Sequence, residues 1–290
     1  MAYDPNVTTV RDAETNTKTV FAVPPNSCDT HFHVFEPGYQ HVPDAQYPFP
    51  QATLEQYQQV TKVLGIERVV LVQPTYYGTD NSLTLHVLRT LGPHCRAVVR
   101  ISDDTSDAEL DSYHELGVRA IRLDLFARRT WSNEDLIAYI RSMAERTRPR
   151  GWHLQFYAPG TVIRNLLPFL ADLEDTFVID HMGYMLESDG LTEGDFGRLL
   201  EVLKQGSCWI KLSGPYRIAK KKPLSSLQPL GRALVETRSD RLIWGSDWPH
   251  LSAGQLDTGE LLNLLADWAP DERDREHILV HGPEKLFYAQ

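Results

Sequence analysis

Two histidines separated by one residue, His31 and His33 in the segment DTHFHVF, are the first side chains whose types and spacing suggest chemistry. On a β-strand, residues i and i+2 project from the same face, whereas on a helix they would point roughly 200° apart. Two imidazoles on one face can bind a metal ion, or they can donate hydrogen bonds to a carbonyl oxygen. The other polar side chains on that face decide between these two kinds of site.

The elements that must position such a site recur along the chain as a short aliphatic run, a polar loop and an amphipathic segment. Eight runs have the composition of buried strands, from SCDTHFH and RVVLVQ to SCWIKLSG and RLIWGSDW, and a helical pattern such as LEQYQQVTKVLG follows nearly every one. Alternating strands and helices indicate parallel βαβ units, and eight such units close into a (β/α)8 barrel. An open doubly wound sheet is the alternative, but no glycine-rich phosphate loop follows the first run.

The chain is predicted to form a single domain, because no linker divides its 290 residues and this length suits one α/β barrel. Residues 25–290 are assigned to the barrel, and residues 1–24 to an N-terminal arm on its surface. The segment EPGYQHVPDAQYPFPQAT after the first strand is long enough to form a lid.

Polar residues stand at the carboxyl ends of the predicted strands, where the active site of a (β/α)8 barrel lies. His31 and His33 come from the first strand, His181 from the sixth and Asp247 from the eighth. The other strand ends supply Gln73, Arg122, Asp124, Tyr157 and Ser213, whereas His153 begins the fifth strand and is predicted to lie at the opposite, structural end. Three histidines and an aspartate at one end of a barrel favour a catalytic site over isolated structural residues.

Three motifs, DTHFHVF, VIDHMG and RLIWGSDWPH, occur in the order that is typical of the amidohydrolase superfamily. Within it the chain resembles the branch of 2-pyrone-4,6-dicarboxylate lactonases and related lactone hydrolases, from about Pro24 to the C-terminus. The resemblance implies a hydrolase of carboxylic ester bonds that opens an acidic lactone in aromatic-compound catabolism. It also implies that Asp247 activates water as a general base while His31, His33 and His181 polarise the lactone carbonyl.

The resemblance further implies a set of substrate-binding side chains. Arginines meet carboxylates through two parallel hydrogen bonds, and three of them match carboxylate-binding positions of the branch. The substrate-binding residues expected in this way and from the strand ends are Arg122, Arg128, Arg217, Tyr157, Ser213 and Gln73. Tyr184 stands where the pyrone lactonases have an arginine, so a related lactone with a sulfo or carboxy substituent, such as a muconolactone, fits nearly as well.

The donor atoms permit a metal ion without requiring one. His31, His33, His181 and Asp247 could hold a mononuclear zinc ion with an open position. The superfamily at large takes further ligands from a lysine or glutamate on the fourth strand and a histidine on the fifth, where this chain has Asp124 and Tyr157. A lactone carbonyl is electrophilic enough for hydrogen bonds and a carboxylate-activated water to open it. We therefore expect no cofactor, with mononuclear zinc as the alternative.

Three other functions stay open. A zinc-dependent decarboxylase of an aromatic or muconate acid would need a histidine at the end of the fifth strand, where the sequence reads QFYA. A sugar lactonase would leave the arginines without anionic partners. A non-catalytic binding barrel would have no use for a buried aspartate such as Asp247.

The charge of the chain narrows the expected partners. A formal net charge of −10 gives no general attraction to nucleic acid or anionic lipid, and no apolar run is long enough to span a bilayer. Cys28, Cys95 and Cys208 have no paired spacing, which suits a reducing cytoplasm. The expected partner is a small anionic lactone, and a homo-oligomer is compatible with the sequence. The run Lys220, Lys221 and Lys222 has no assigned role.

Overall fold

The computed structural model describes residues 17–43, 49–50, 52–185, 189–251 and 256–289 of the chain. Within these residues, eight parallel strands pair in sequence order. The strands are β1 (Cys28–Phe32), β2 (Arg68–Val72), β3 (Cys95–Val99), β4 (Val118–Asp124), β5 (His153–Tyr157), β6 (Phe177–Ile179), β7 (Cys208–Leu212) and β8 (Leu242–Trp244).

The first and last strands meet just beyond the end of β8. Phe32 forms a parallel bridge with Trp248, and the backbone N–H of Asp247 donates to the carbonyl of His31 at 2.8 Å. This contact closes the sheet on itself. The predicted (β/α)8 barrel is therefore confirmed, and the open doubly wound sheet is wrong.

Helices follow the strands and cover the outside of the barrel. They are α1 (Leu54–Leu64), α2 (Ser82–Leu91), α3 (Asp107–Leu116), α4 (Asn133–Thr147), α5 (Gly160–Ala171), α6 (Glu193–Lys204), α7 (Pro215–Ala219), α8 (Gln228–Arg238), α9 (Thr258–Trp268) and α10 (Glu272–Glu276). Helix α1 begins at a capping box between Thr53 and Gln56 and ends at Gly65 in the left-handed conformation. Such caps satisfy backbone groups that a helix end leaves unpaired, so they determine where the adjoining loops begin.

The buried apolar residues of the described ranges form two groups. The larger group packs between the strands and the helices. The smaller group fills the barrel interior and includes Leu286 and Phe287 from the helical turns that follow α10. His153, at the start of β5, is buried with its ring centroid 4.9 Å from that of Phe287. This histidine therefore lies at the structural end of the barrel, as predicted.

The predicted arm and lid lie partly outside the described residues. Residues 1–16 of the arm and residues 44–48 and 51 of the lid segment are not described. The backbone N–H of Val20 in the arm donates to Asn263 of α9 at 2.8 Å, and that of Val42 in the lid segment donates to the Tyr76 carbonyl at 2.9 Å. In the described ranges, no helix is both long and apolar enough to cross a bilayer.

Candidate active site

The ends of β6 and β8 place the backbone of non-glycine residues in the left-handed region. His181, Met182 and Tyr184 have φ values of 52°, 51° and 48°, and Asp247 has a φ of 58°. This conformation costs a non-glycine residue about 1 kcal/mol or more. Several such residues lie at these two strand ends. The energy gained by directing their side chains into the barrel mouth must therefore exceed the cost of the left-handed backbone.

Two glycines allow the strand ends to approach each other closely. A Cβ atom on Gly245 would lie 2.5 Å from the Cβ of His31. A Cβ atom on Gly214, which has a φ of +54°, would lie 2.8 Å from Nδ1 of His181 and 3.2 Å from Oδ2 of Asp247. Any larger residue at either position would push the catalytic candidates apart.

The four predicted catalytic side chains come together at the barrel mouth. Nε2 of His31 lies 3.3 Å from Nε2 of His33, and Oδ1 of Asp247 lies 3.7 Å and 3.6 Å from these two nitrogens. His181 is next to His31, with ring centroids 5.0 Å apart, and its Nδ1 lies 2.9 Å from the hydroxyl of Ser213. All five side chains are buried.

The two oxygens of the Asp247 carboxylate have different surroundings. Oδ2 accepts hydrogen bonds from the Tyr216 hydroxyl at 2.5 Å and from Nε of Arg217 at 2.6 Å. Oδ1 has no hydrogen-bond partner among the described residues and faces His31 and His33. Burial opposes ionisation of Asp247, but the positive charge of Arg217 holds its pKa well below the usual range. The group is therefore an oriented carboxylate with one free oxygen.

Hydrogen bonds assign the protons of the paired histidines. Burial lowers the pKa of both His31 and His33, so each ring is neutral and carries one N–H. Nδ1 of His33 lies 2.7 Å from the Val72 carbonyl, which can only accept, so the His33 proton is on Nδ1. Nε2 of His33 is then an acceptor, and the His31 nitrogen 3.3 Å away must be the donor. His31 therefore presents an N–H to the cluster.

A buried polar network beneath His31 was missed by the sequence analysis. Lys211, fully buried in β7, donates to the Thr30 carbonyl and to Oε1 of Gln155, both at 3.0 Å, and lies 3.4 Å from Oδ1 of Asp180. Burial opposes ionisation of Asp180, but the positive charge of Lys211 holds its pKa well below the usual range. The sequence contains a sign of this network, because the aliphatic run SCWIKLSG includes Lys211. A charged side chain inside a buried strand needs polar or oppositely charged partners.

Arg122 is placed to meet an anion. It lies over the Tyr157 ring at 4.2 Å, its Nη1 is 3.5 Å from the Gln73 carbonyl, and its Nε is 3.6 Å from Oδ2 of Asp180. These polar contacts are long, and Nε has no hydrogen-bond partner in the described part of the chain. A buried guanidinium with weakly used donors favours a carboxylate or sulfonate ligand.

Three other predicted substrate contacts are engaged within the protein. Arg217 is paired with Asp247. Arg128 donates to the Asp124 carbonyl at 3.0 Å and stacks on Tyr139 at 4.4 Å, on the α4 side. The Gln73 amide donates to the Asp80 carbonyl at 2.8 Å. For Arg128 and Gln73, these contacts do not favour the predicted role in substrate binding.

An aromatic wall borders the histidines. The rings of Tyr157 and Tyr184 lie 6.1 Å and 5.4 Å from that of His181, and Phe126 contacts both tyrosines at 4.4 Å and 5.1 Å. Tyr184, which stands where the pyrone lactonases have an arginine, therefore provides a ring and a hydroxyl at this wall.

Two sets of side chains could hold a metal ion, judged on the described residues. They are His31, His33 and Asp247, and His31, Asp180 and His181, with ligand atoms within 4.8 Å of one another. In the first set a cation needs the lone pair on Nε2 of His31, but the hydrogen bonds place a proton there. In this first set the donor atoms are close enough for a metal ion, but the proton arrangement does not fit one.

The fold and the site together are a closed (β/α)8 barrel with a His-x-His pair at the end of β1, a histidine after β6 and an aspartate after β8. Residues 28–288 match the family model described as amidohydrolase, and the chain belongs to this family.

Two curated relatives are similar over almost their whole length. The 4-sulfomuconolactone hydrolase of Hydrogenophaga intermedia is 34% identical over 276 residues, covering 92% of this chain and 90% of that protein. The 2-pyrone-4,6-dicarboxylate hydrolase of Comamonas testosteroni is 30% identical over 288 residues, covering 94% and 93%. A crystal structure from Pseudomonas putida, provisionally named 2-pyrone-4,6-dicarboxylic acid hydrolase, superposes with a TM-score of 0.79 at 31% identity over 91% of this chain and 98% of its own.

Proposed function

We propose that the protein is a lactone hydrolase that opens a lactone carrying a carboxylate or sulfonate group, in the catabolism of aromatic compounds. The observation that carries this proposal is the Asp247 carboxylate, which is held through Oδ2 by Tyr216 and Arg217, while its Oδ1 faces His31 and His33 and has no hydrogen-bond partner in the part of the chain that the structure describes. A carboxylate oriented in this way can accept a proton from an attacking water. Both curated relatives are named as hydrolases of acidic lactones, which supports the proposal.

In the proposed reaction, Asp247 takes a proton from water while the water oxygen bonds to the lactone carbonyl carbon. The N–H on Nε2 of His31 donates to the carbonyl oxygen and stabilises the negative charge that develops there. Before the lactone binds, this N–H donates to His33, and it turns to the carbonyl oxygen when the lactone enters; His181, adjacent to His31, borders the same oxygen. The ring C–O bond then breaks, and Asp247 returns the proton to the leaving oxygen. The reaction consumes one water and yields the open-chain acid.

The acidic substituent is assigned to Arg122. Its guanidinium is buried, and its donors make long contacts that an anion would replace with shorter, charge-assisted ones. Tyr157 and Tyr184 form the wall between this arginine and His181. A planar, unsaturated lactone suits this aromatic wall better than a polyhydroxylated sugar lactone does.

The proposed reaction has no step that passes through a metal ion. A mononuclear zinc ion at His31, His33, His181 and Asp247 is the alternative arrangement, and it requires the His31 proton to move from Nε2 to Nδ1. The decarboxylase alternative is less well supported, because the end of β5 carries Tyr157 stacked on Arg122.

The experiment is hydrolysis of 4-sulfomuconolactone and 2-pyrone-4,6-dicarboxylate by the purified protein and by the Asp247→Asn variant. The amide keeps the shape of the carboxylate but cannot accept the proton, so kcat should fall by about 100- to 10,000-fold with KM little changed. Asp124→Asn is the matched control, because Asp124 pairs with Arg100 at 3.5 Å and caps the Ala127 N–H. Wild-type protein that opens neither lactone would refute the substrate class. An Asp247→Asn variant with more than about a tenth of wild-type kcat would refute the role of the base.

A further inference from the structure

Lys211 is a buried charge that the proposed reaction does not use. Its side chain has no solvent exposure, and an unpaired ammonium in such a position would cost several kcal/mol. Its Nζ is surrounded by acceptors, with the Thr30 carbonyl and Oε1 of Gln155 at 3.0 Å, Nδ1 of His31 at 3.3 Å and Oδ1 of Asp180 at 3.4 Å. An ammonium has three N–H donors and no acceptor, which matches these surroundings.

The third donor of Lys211 is directed at His31 rather than at Asp180. The contact from Nζ to Nδ1 of His31 has hydrogen-bond geometry, whereas Oδ1 of Asp180 has no hydrogen-bond partner among the described residues. Nδ1 of His31 must then be an acceptor, and the ring proton must be on Nε2. The contact with His33 on the other side of the ring gives the same assignment independently.

We propose that Lys211 is a positioning residue that holds His31 in the Nε2–H tautomer and so makes the His31, His33 and Asp247 cluster a hydrogen-bond donor site instead of a zinc site. Its effect on turnover rests on the proposed lactone hydrolysis. Its effects on the tautomer and on zinc affinity do not depend on any substrate.

The zinc site is one proton shift away from the observed arrangement. Binding of zinc through Nε2 of His31 would require the proton on Nδ1, where it would face the Lys211 ammonium 3.3 Å away, donor against donor. Without Lys211, that N–H could instead donate to Oδ1 of Asp180, 3.5 Å away. A carboxylate, a histidine and a zinc ion in this order form a common metal-binding arrangement. Lys211 therefore determines whether Nε2 of His31, Nε2 of His33 and Oδ1 of Asp247 form a hydrogen-bonding site or a zinc site.

The first measurement uses the wild-type chain. A long-range ¹H–¹⁵N spectrum of histidine-labelled protein distinguishes a protonated from an unprotonated ring nitrogen, and the His31 signals are identified by their loss in His31→Asn. We expect a protonated Nε2 and an unprotonated Nδ1. The opposite assignment would overturn the proposal, and this result does not depend on the folding of a Lys211 variant.

The second measurement compares Lys211→Met with Lys204→Met, a surface control whose Nζ pairs with Glu201 at 2.6 Å. Zinc binding is measured by equilibrium dialysis against zinc chloride. Lys211→Met should bind zinc about 10- to 100-fold more tightly than wild type, the range by which outer-shell partners change metal affinity. Its kcat on the lactone should fall by about 100-fold or more with KM little changed, since an oxyanion donor is lost. Unchanged zinc affinity in a folded Lys211→Met variant would contradict the proposal. A wild-type protein with the expected tautomer but no lactone hydrolysis would leave it standing and refute only the proposed function.

Discussion

Replacing Arg122 and Arg217 one at a time with methionine should distinguish two roles. We expect Arg122 to bind the acidic group of the substrate and Arg217 to hold the Asp247 carboxylate in place. Arg122 contacts its protein partners only at long range, at 3.5 Å and 3.6 Å, whereas Arg217 donates to Oδ2 of Asp247 at 2.6 Å. Loss of Arg122 should therefore affect only substrates with an acidic group. Loss of Arg217 should affect every substrate, because it removes one of the two groups that donate to Oδ2 of the buried Asp247 carboxylate in the described ranges.

The expected magnitudes follow from burial. The Arg122 side chain is 4% exposed, so an ion pair with the substrate would form in a desolvated pocket, where truncating one partner costs about 2 to 5 kcal/mol. At about 1.36 kcal/mol per tenfold change in rate, this corresponds to a loss of roughly 30- to several-thousand-fold in kcat/KM. Breaking the buried pair of Arg217 and Asp247 carries a cost of about 3 to 5 kcal/mol, and it applies to neutral substrates as well.

The assay is kcat/KM for an acidic lactone and for the same lactone with its acidic group masked as a methyl ester. Arg122→Met should lower the first value and leave the second almost unchanged, and Arg122→Lys should restore little, because a point charge cannot form two parallel hydrogen bonds. Arg217→Met should lower both values. Equal losses on the two substrates in Arg122→Met would refute the assignment of Arg122 to the anion, and neutral lactones would become the substrates to test next.

Three further outcomes are expected. Prolonged chelation should leave lactone hydrolysis intact and added zinc should not increase it, as metal analysis of the same sample would check; stoichiometric zinc whose removal abolishes turnover would contradict this. Burial lowers the pKa of His153 to about 3, so below about pH 6.5 the unfolded chain binds a proton that the folded chain does not, and stability decreases as the pH is lowered. Between pH 7 and pH 5, the unfolding free energy of wild type should therefore decrease by about 2 kcal/mol more than that of His153→Leu, as measured by urea titration. An equal decrease in both proteins would contradict the lowered pKa of His153. Gly245→Ala, whose Cβ would lie 2.5 Å from that of His31, should lower the melting temperature and abolish turnover, whereas Gly197→Ala, with open space around the added Cβ, should do neither.

The barrel and the four central residues could be predicted from the sequence because the evidence for them is local. Each strand run and helix pattern is contained in a short segment, and helix α1 is marked at both ends by residues with known capping preferences. Parallel strands in sequence order all end at one face, so residues as distant as His31 and Asp247 were expected to meet. Their separation of 3.7 Å agrees with that expectation.

Side-chain partners at the same strand ends could not be predicted, because they depend on backbone direction and on competing hydrogen-bond groups. Gln73 follows β2 and was expected at the site, but its amide donates to the Asp80 carbonyl at 2.8 Å. Arg217 was expected to bind the substrate, and in the structure it is the partner of Asp247.

The proton arrangement was likewise determined only by the tertiary structure. The sequence placed His31 and His33 on one face and favoured a site without a cofactor, with mononuclear zinc as the alternative, but it could not assign their protons. Lys211 approaches His31 from a strand 180 residues away in the chain, and the Val72 carbonyl approaches His33 from 39 residues away. A histidine tautomer is selected by whichever donor or acceptor lies within about 3 Å of each ring nitrogen, and only the closed barrel brings these groups that near.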